Sequence, residues 1–286
     1  MKVLLYSNNK IDPNYDFTKQ IALYLQNNNE EVVILKEMES FFTDINFITF
    51  EPEMSEKIKL LFVIGDDGTF LSAAHDFYKY NIPYLMLNNE KNEALEENNL
   101  NNCYKIIDKV LDNRFKVESK PILSVKVVSD KGYEKILGFN EVLVHRGQYI
   151  KKLKIDMKIE NHFRDSFLAD GVLVSTNMGS SAYNLSAGGP LLLNNANCFV
   201  ITSICTQSGI IPSIVYNADD QVEITAFAKD EKKYVVVVDG RDQIDAANGT
   251  KVFVKKSSEV LHIVTTETEN KTINHITKSF NGYTKY

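Results

Sequence analysis

The sequence predicts an α/β domain with a doubly wound, mostly parallel sheet, followed by a domain of antiparallel strands. In the first part of the chain, strands that are apolar throughout alternate with amphipathic helical segments, which is typical of a parallel sheet covered on both faces. In the second part, short β-rich runs follow one another without helices between them, which favours antiparallel pairing. At 286 residues the chain is long enough for two domains. We expect them at residues 1–116 and 117–264, with a tail at 265–286.

The predicted elements of the first domain follow from its hydrophobic pattern. Phe17, Ile21, Tyr24 and Leu25 recur at helical spacing between two apolar runs. A second helical segment, "TFLSAAHDFYKY", separates two further apolar runs. The predicted strands are "KVLLYS" (Lys2–Ser7), "EVVILKE" (Glu31–Glu37), "LLFVIG" (60–65) and "IPYLMLN" (Ile82–Asn88).

The second domain shows alternation with turn residues at the joins. Examples of its predicted strands are "KLKIDMKIEN" (152–161), "VLVST" (172–176), "CFVITSI" (198–204), "QVEITAF" (221–227), "YVVVVDG" (234–240) and "KVFVKK" (251–256). A short helix is expected around residues 180–187, and the final "TINHITKSFNGYTKY" is expected to form a short helix or tail.

Composition narrows the class of protein. A formal net charge of -6 and a pI near 5.5 give no overall attraction to nucleic acid or to an anionic membrane. No apolar stretch approaches the roughly 20 residues of a membrane-spanning helix, and the N-terminus turns polar too early for a signal peptide. The three cysteines lack CxxC or Cys/His ligand spacing, which argues against a structural zinc site. We expect a cytoplasmic protein without a nucleic-acid or membrane partner.

The motif "GDDGT", residues 65–69, connects a predicted buried strand to a predicted helix. In an open α/β sheet, ligands collect at the carboxyl ends of the strands, and amides that open a helix can receive an anion. A carboxylate here could accept a proton from a hydroxyl or hold a magnesium ion. On the residues alone, Asp67 could instead simply cap the helix beginning near Thr69.

Three further segments carry polar groups that suit nucleotide binding. Asn140 and Glu141 in "GFNEVLVHRG" can read hydrogen-bond donors and acceptors of a base or sugar, although a turn with a solvated Glu is an alternative. "ADGVLVSTNMGSSAYNLSAGGP" combines exposed amides, hydroxyls and Tyr183, which could stack on a flat ring or merely pack. Asp239 in "VVVVDGRD" could equally belong to an ordinary β-turn. The P-loop, HExxH, GxSxG and GxGxxG motifs are absent from the sequence.

Taken together, these segments resemble the NAD kinase family. "GDDGT" resembles its GGDGT motif, Asn140–Glu141 its Asn-Glu pair, and "DGVLVSTNMGSSAYNLSAGGP" its long signature ending in GGP. The order and spacing agree from residue 60 to residue 240. The family transfers a phosphoryl group from ATP, or from polyphosphate in some members, to the 2′-hydroxyl of the adenosine ribose of NAD.

The resemblance implies a role for each matching residue. Asp67 matches the catalytic aspartate, and Gly68 and Thr69 would shape the phosphate turn. Asn140 and Glu141 match the pair that contacts adenine and ribose, and Asp170 matches an aspartate near the nicotinamide end. The residues that match the lining of the dinucleotide pocket are Ser181, Ala182, Tyr183 and Ser186. Asn88 survives from the family's loop over the adenosine, Asp66 stands in place of a motif glycine, and Asp239 aligns less securely with an aspartate near the phosphates.

The resemblance also implies a sandwich-like β domain, a tail that packs back on the first domain, and a homodimer or homotetramer. It implies a divalent ion, usually Mg²⁺, without indicating which residues would bind it.

Departures from the family pattern keep alternatives open. Asp66 replaces a glycine and would be strained by about 1 kcal/mol or more if φ is positive there. Asn88 is followed by Glu90, Glu93 and Ala94 where the family has Gly, Gly and Phe, and Asn177–Met178 also differ. The alternatives are a dinucleotide-binding protein that has lost catalysis and a diacylglycerol- or sphingoid-type lipid kinase.

Overall fold

The computed structural model describes residues 1–88, 96–160, 162–193, 195–207, 209–229 and 233–266. Contacts divide the chain into two units, of which the first contains Met1–Ser119 and the segment beginning at Leu261, and the second contains Lys120–Val260. The sequence-based boundaries at 116 and 264 fall three and four residues away, because one long strand runs through each boundary. The predicted tail from residue 267 onward lies outside the described residues.

The first unit contains three helices and five strands of its own in the described part of the chain. They are β1 (Lys2–Ser7), α1 (Asp16–Asn27), β2 (Glu31–Ile34), β3 (Ile48–Thr49), β4 (Ile58–Gly65), α2 (Asp67–Phe77), β5 (Tyr84–Asn88) and α3 (Glu96–Leu111). Short 3₁₀ turns at Pro13–Tyr15, Lys36–Phe41, Pro52–Lys57 and Tyr78–Tyr80 complete the connections.

The strands of this unit pair in parallel in the order β3, β2, β1, β4, β5. The crossover through α1 leads away from β4, whereas the crossover through α2 leads away from β1. Because such crossovers are right-handed, the two helices cover opposite faces of the sheet. The central strands are accordingly buried, with Leu4, Leu5 and Leu61 fully inaccessible to solvent. The predicted doubly wound sheet is confirmed.

The second unit consists mainly of strands. They are β6 (Lys116–Ser129), β7 (Gly132–Gly138), β8 (Glu141–His145), β9 (Leu153–Ile159), β10 (Phe163–Ala169), β11 (Gly171–Ser175), β12 (Cys198–Ile204), β13 (Ile214–Asn217), β14 (Val222–Phe227), β15 (Tyr234–Val238), β16 (Asp242–Ala246) and β17 (Lys251–Thr265). Between β11 and β12 lie a 3₁₀ turn, Gly179–Ser181, and the short helix α4, Tyr183–Ser186.

Two sheets form the second unit. One is antiparallel in the order β13, β12, β11, β8, β15, β16, and the other includes β10, β9, β14 and β17, with β6 on β17 and β7 on β6. A single apolar cluster joins side chains of both sheets, for example Val142 and Val174 from the first with Ile155 and Val252 from the second. The predicted antiparallel, sandwich-like β domain is confirmed.

The last strand, β17, was predicted to end at residue 256 but continues to Thr265. Its final residues belong to the first unit, where Ile263 pairs in parallel with Tyr84 of β5. The predicted short helix around 180–187 is present as a 3₁₀ turn followed by α4.

Candidate active site

The "GDDGT" turn lies at the carboxyl end of β4, beside β1. Because the crossovers leave β1 and β4 in opposite directions, this is the switch point of the parallel sheet, where open α/β sheets bind ligands. Gly65 has φ of +155°, and a Cβ there would lie 2.5 Å from the Thr69 hydroxyl. The turn therefore needs glycine at position 65.

Asp66 caps α2. Its Oδ1 accepts hydrogen bonds from the backbone N–H and from the hydroxyl of Thr69, both at 2.8 Å. Its φ of -95° lies in the ordinary extended region, so the anticipated strain at this replaced glycine is absent. The alternative in which Asp67 is the cap is wrong, because its neighbour performs that task.

Asp67 is the first residue of α2, and its side chain is exposed. Within the described ranges, its carboxylate makes neither a hydrogen bond nor an ion pair. The N-terminal end of a helix favours a negative charge at this position. The arrangement leaves one carboxylate of the pair available to an incoming hydroxyl, while Gly68 beside it is exposed and the Thr69 side chain is buried within the turn.

In the second unit, Asn140 and Glu141 lie at the connection between β7 and β8. We call residues 139–141 the NE turn. Three consecutive backbone N–H groups of this turn donate to the carboxylate of Asp239, from Phe139 at 2.8 Å, Asn140 at 2.8 Å and Glu141 at 3.0 Å. Asp239 follows β15, which pairs with β8. The antiparallel register thus places the sequence-predicted Asn140, Glu141 and Asp239 together.

The segment after β11 holds the carbonyl groups of the same turn. Thr176 donates its N–H to the Asn140 carbonyl at 2.9 Å and its hydroxyl to the Phe139 carbonyl at 2.8 Å. Gly179 packs so closely that a Cβ would lie 2.3 Å from the Asn140 carbonyl oxygen. The "ST…G" part of the signature is therefore a scaffold for the NE turn.

Glu141 has an unusual electrostatic environment. Burial, followed by the negative charge of Asp239, raises the pKa of Glu141 to about 7. Its Oε2 is buried and has no hydrogen-bond partner among the described residues. With this pKa, both the protonated and the ionised form of the carboxyl group occur near neutral pH. A hydroxyl or amine that donates a hydrogen bond to it favours the ionised form.

The segment at 179–187 presents a polar surface on a fixed base. Ser181, Tyr183 and Ser186 are exposed, and Ala182 is partly exposed. Asn184 of α4 is fully buried, where its amide donates to the carbonyls of Ser180 and Pro190 and accepts from the Thr202 hydroxyl at 2.7 Å. The buried asparagine ties α4 to β12 while its neighbours face solvent.

Asp170 lies just before β11, at the opposite end of that strand from Thr176, about 20 Å away at the usual rise per residue. It forms ion pairs with Arg146 at 3.1 Å and with Lys152 at 3.2 Å. Burial alone would raise the pKa of Asp170, but the hydrogen bonds from Lys152 and Arg146 outweigh it and hold the pKa below its usual value. The Asp170 carboxylate is thus ionised, and the positive charges of Arg146 and Lys152 balance part of its negative charge.

Sequence reasoning missed Arg146, Lys152, Thr176 and Asn184 as parts of this site. A signal existed for Arg146, since "HR" ends β8 where Gly171 begins its antiparallel partner β11. Once those two strands are paired, Arg146 must lie beside Asp170. Asn184 carries no comparable signal, because its partners come from three separate segments.

Asn88 ends β5 in register with Gly65 of β4, next to the "GDDGT" turn. The altered residues Glu90, Glu93 and Ala94 lie outside the described residues. In the part of the chain that the structure describes, no cluster of three or more His, Cys, Asp or Glu side chains could hold a metal ion. No helix within those same ranges has the length and apolarity to cross a membrane.

These features define a class of protein. One unit offers an available carboxylate and a helix N-terminus at a switch point, and the other offers an amide-and-carboxyl turn with an adjoining hydroxyl-rich helix. Such groups recognise phosphates, sugars and bases. Both units are typical of a nucleotide-handling enzyme.

Comparison with known proteins agrees. The ATP-NAD kinase N-terminal domain family matches residues 3–115, and the ATP-NAD kinase C-terminal domain family matches residues 139–266. The chain is 28% identical to the NAD kinase of Lachnoclostridium phytofermentans over 274 residues, which cover 93% of this chain and 94% of that protein. It is 29% identical to the NAD kinase of Clostridium beijerinckii over 255 residues, which cover 89% and 88%.

Solved structures share the fold. Yeast NADH kinase, determined in complex with NADH, superposes with a TM-score of 0.82 at 19% identity, covering 97% of this chain and 87% of that one. An NAD kinase from Archaeoglobus fulgidus, determined in complex with ATP, gives a TM-score of 0.71 at 21% identity, covering 97% and 98%. The chain belongs to the NAD kinase family.

Proposed function

We propose that this chain is an NAD kinase that transfers the terminal phosphoryl group of ATP to the 2′-hydroxyl of the adenosine ribose of NAD. The observation that carries the proposal is that the two aspartates at the switch point have different roles: Asp66 caps the helix, and the Asp67 carboxylate stays available to a substrate. Curated relatives that match most of this chain are NAD kinases. None of them favours the lipid-kinase alternative.

In the proposed reaction, the ribose oxygen attacks the γ-phosphorus, the new O–P bond forms, and the bond to ADP breaks. The Asp67 carboxylate orients the 2′-hydroxyl and accepts its proton as the oxygen attacks. Gly68 lets the acceptor and phosphates approach the turn without a side chain in the way. Such a reaction depends mainly on position and charge.

A divalent ion, which we propose to be Mg²⁺, would neutralise the phosphates of the donor. In enzymes that act on nucleotides, Mg²⁺ is usually held by one or two carboxylates together with the phosphates of the substrate.

The second unit supplies groups for the acceptor. The NE turn would hold the adenine and ribose through the Asn140 amide and the Glu141 carboxyl. Asp170, at the other end of β11, would contact the nicotinamide end of NAD. An extended dinucleotide has an adenosine end and a nicotinamide end that lie apart, as the two ends of β11 do. The exposed groups of the α4 segment (Ser181, Ala182, Tyr183 and Ser186) would line the pocket between these points.

The test is NADP formation by the purified chain with NAD, Mg²⁺ and either ATP or polyphosphate. We expect Asp67→Asn to lower kcat by about 10²-fold or more, because the positioned proton acceptor is lost, while NAD still binds. Asp16→Asn is the matched control, since Asp16 is likewise the first residue of a helix, α1, and is exposed. A wild-type protein that binds NAD but forms no NADP with either donor would refute the proposal.

Assembly is a separate part of the proposal. We expect a homodimer or homotetramer, which light scattering of the purified protein would measure. A monomer at working concentration that is fully active would remove this expectation without affecting the activity.

A further inference from the structure

The NE turn presents an unusual arrangement of backbone donors. Three successive N–H groups, of Phe139, Asn140 and Glu141, converge on the one carboxylate of Asp239, with Oδ2 accepting the first and Oδ1 the other two. In a regular strand, successive N–H groups point in alternate directions, so convergence on one acceptor bends the chain sharply. The carboxylate thereby sets the local backbone conformation of the turn.

Asp239 is itself held firmly in place. Only 8% of its surface is exposed, and its backbone N–H donates to the Glu141 carbonyl at 3.0 Å. Its φ of +52° lies in the left-handed region, which aspartate, asparagine and glycine tolerate better than other residues. The identity of this residue is thus restricted both by its backbone and by its side chain.

We infer that Asp239 is a positioning residue, which fixes the NE turn so that the Asn140 amide and the Glu141 carboxyl meet the adenosine of the acceptor. This inference rests on the proposed function and deepens it. It also departs from the role near the phosphates that the family resemblance implied for Asp239, because the carboxylate faces the backbone of the turn. Thr176 completes the arrangement by donating to the two carbonyl groups of the same turn.

The charge of Asp239 has a second effect on the acceptor site. Among the charged groups of the described residues, Asp239 is the one that acts on Glu141, since the strand opposite, β11, presents the uncharged Ser175. Burial and this charge raise the pKa of Glu141 to about 7. A ribose hydroxyl that donates to Glu141 favours the ionised form, so NAD affinity should rise as the pH rises through 7.

Two substitutions separate the effect of the Asp239 hydrogen bonds on the NE turn from the effect of its negative charge. Asp239→Gly keeps the left-handed backbone accessible but removes the acceptor of all three N–H groups. Asp239→Asn retains one oxygen acceptor and removes the charge. Asp242→Asn is the control, since Asp242 begins β16 only three residues further along the chain and is partly exposed.

The measurement is the dissociation constant for NAD as a function of pH, with amide hydrogen exchange of residues 139–141 in parallel. We expect Asp239→Gly to weaken NAD binding about tenfold or more, because the turn loses the free energy of at least one hydrogen bond that fixes its conformation. We also expect faster hydrogen exchange at the three amides. In Asp239→Asn, the midpoint of the pH dependence should move to lower pH, because the like charge beside Glu141 is gone. The midpoint reports the charge of Asp239 beside Glu141, whereas weaker NAD binding and faster exchange at the three amides report its contacts with the turn.

The outcomes are distinguishable. Should both variants bind NAD as tightly as the wild type at a pH above the midpoint, with unchanged exchange at the three amides, the inference is overturned even though NADP formation continues. If the wild type forms no NADP, the proposed function fails, while NAD binding and amide exchange still report on Asp239. Where Asp239→Gly fails to fold, the NAD affinity and the amide exchange of Asp239→Asn decide, because a carboxamide offers the three N–H groups one acceptor oxygen in place of two.

Discussion

At the scale of single residues, the adjacent carboxylates of the "GDDGT" turn have different tasks. Asp66 is bound to Thr69 by two hydrogen bonds, whereas Asp67 has no partner among the described residues. The sequence predicts a turn at this strand-to-helix junction from its glycines and carboxylates, and the structure has a turn there. It could not predict which aspartate would be the cap, since the helix start differs by a single residue between the two possibilities.

The capping role of Asp66 makes a prediction about stability. Asp66→Ala should lower the free energy of unfolding by about 1 kcal/mol, because the first turn of α2 loses its side-chain acceptor. Asp66→Asn should be nearly neutral, since asparagine caps helices equally well. Urea titration of both variants at one pH measures the difference. Equal stability of the alanine variant and the wild type would contradict the assignment.

At the scale of elements, local pattern and long-range pairing were predicted with different success. β1 and β12 have the predicted bounds, because each is a short apolar or alternating run bordered by polar residues. Strands such as β10 and β16 are not among the examples named from the sequence, since their exposed polar residues give little hydrophobic alternation. Pairing of β8 with β11 and β15, which assembles the NE turn, depends on residues far apart in the chain and left no local signal.

The α4 segment depends on a buried asparagine for its attachment. Asn184→Ala should destabilise the protein by about 2–3 kcal/mol, because several buried polar partners lose their hydrogen bonds together. NAD binding should weaken as well, since Tyr183 and Ser186 are carried by the same helix. Asn197→Ala is the matched control, because the Asn197 amide bonds to Asn217 and Asp219 at an exposed position. Thermal unfolding and NAD titration of the two variants measure both effects, and an Asn184→Ala protein that behaves like the control would refute this role.

At the scale of the whole molecule, β17 serves two hydrophobic cores in succession. Val252 and Val254 belong to the core of the second unit, and Leu261 and Val264 are buried in residues assigned to the first. The sequence pattern predicts that this strand ends at residue 256, where the run "KKSSE" interrupts the apolar alternation. The strand continues because β5 supplies a parallel partner for Ile263, which is a tertiary contact that no local pattern encodes.

The stability of the first unit should therefore depend on the end of β17, residues 261–265, which lies far along the chain from the other strands of that unit. Leu261 is 1% exposed, and Leu261→Ala should destabilise the first unit by about 2–5 kcal/mol through the cavity that it creates. Glu259→Ala, at an exposed position two residues earlier in the same strand, is the control. Hydrogen exchange of the backbone amides of β4 and β5 reports on the first unit directly, and faster exchange there in Leu261→Ala than in Glu259→Ala is the expected result. Unchanged protection of these strands in Leu261→Ala would mean that the packing of this side chain contributes little to the stability of the parallel sheet.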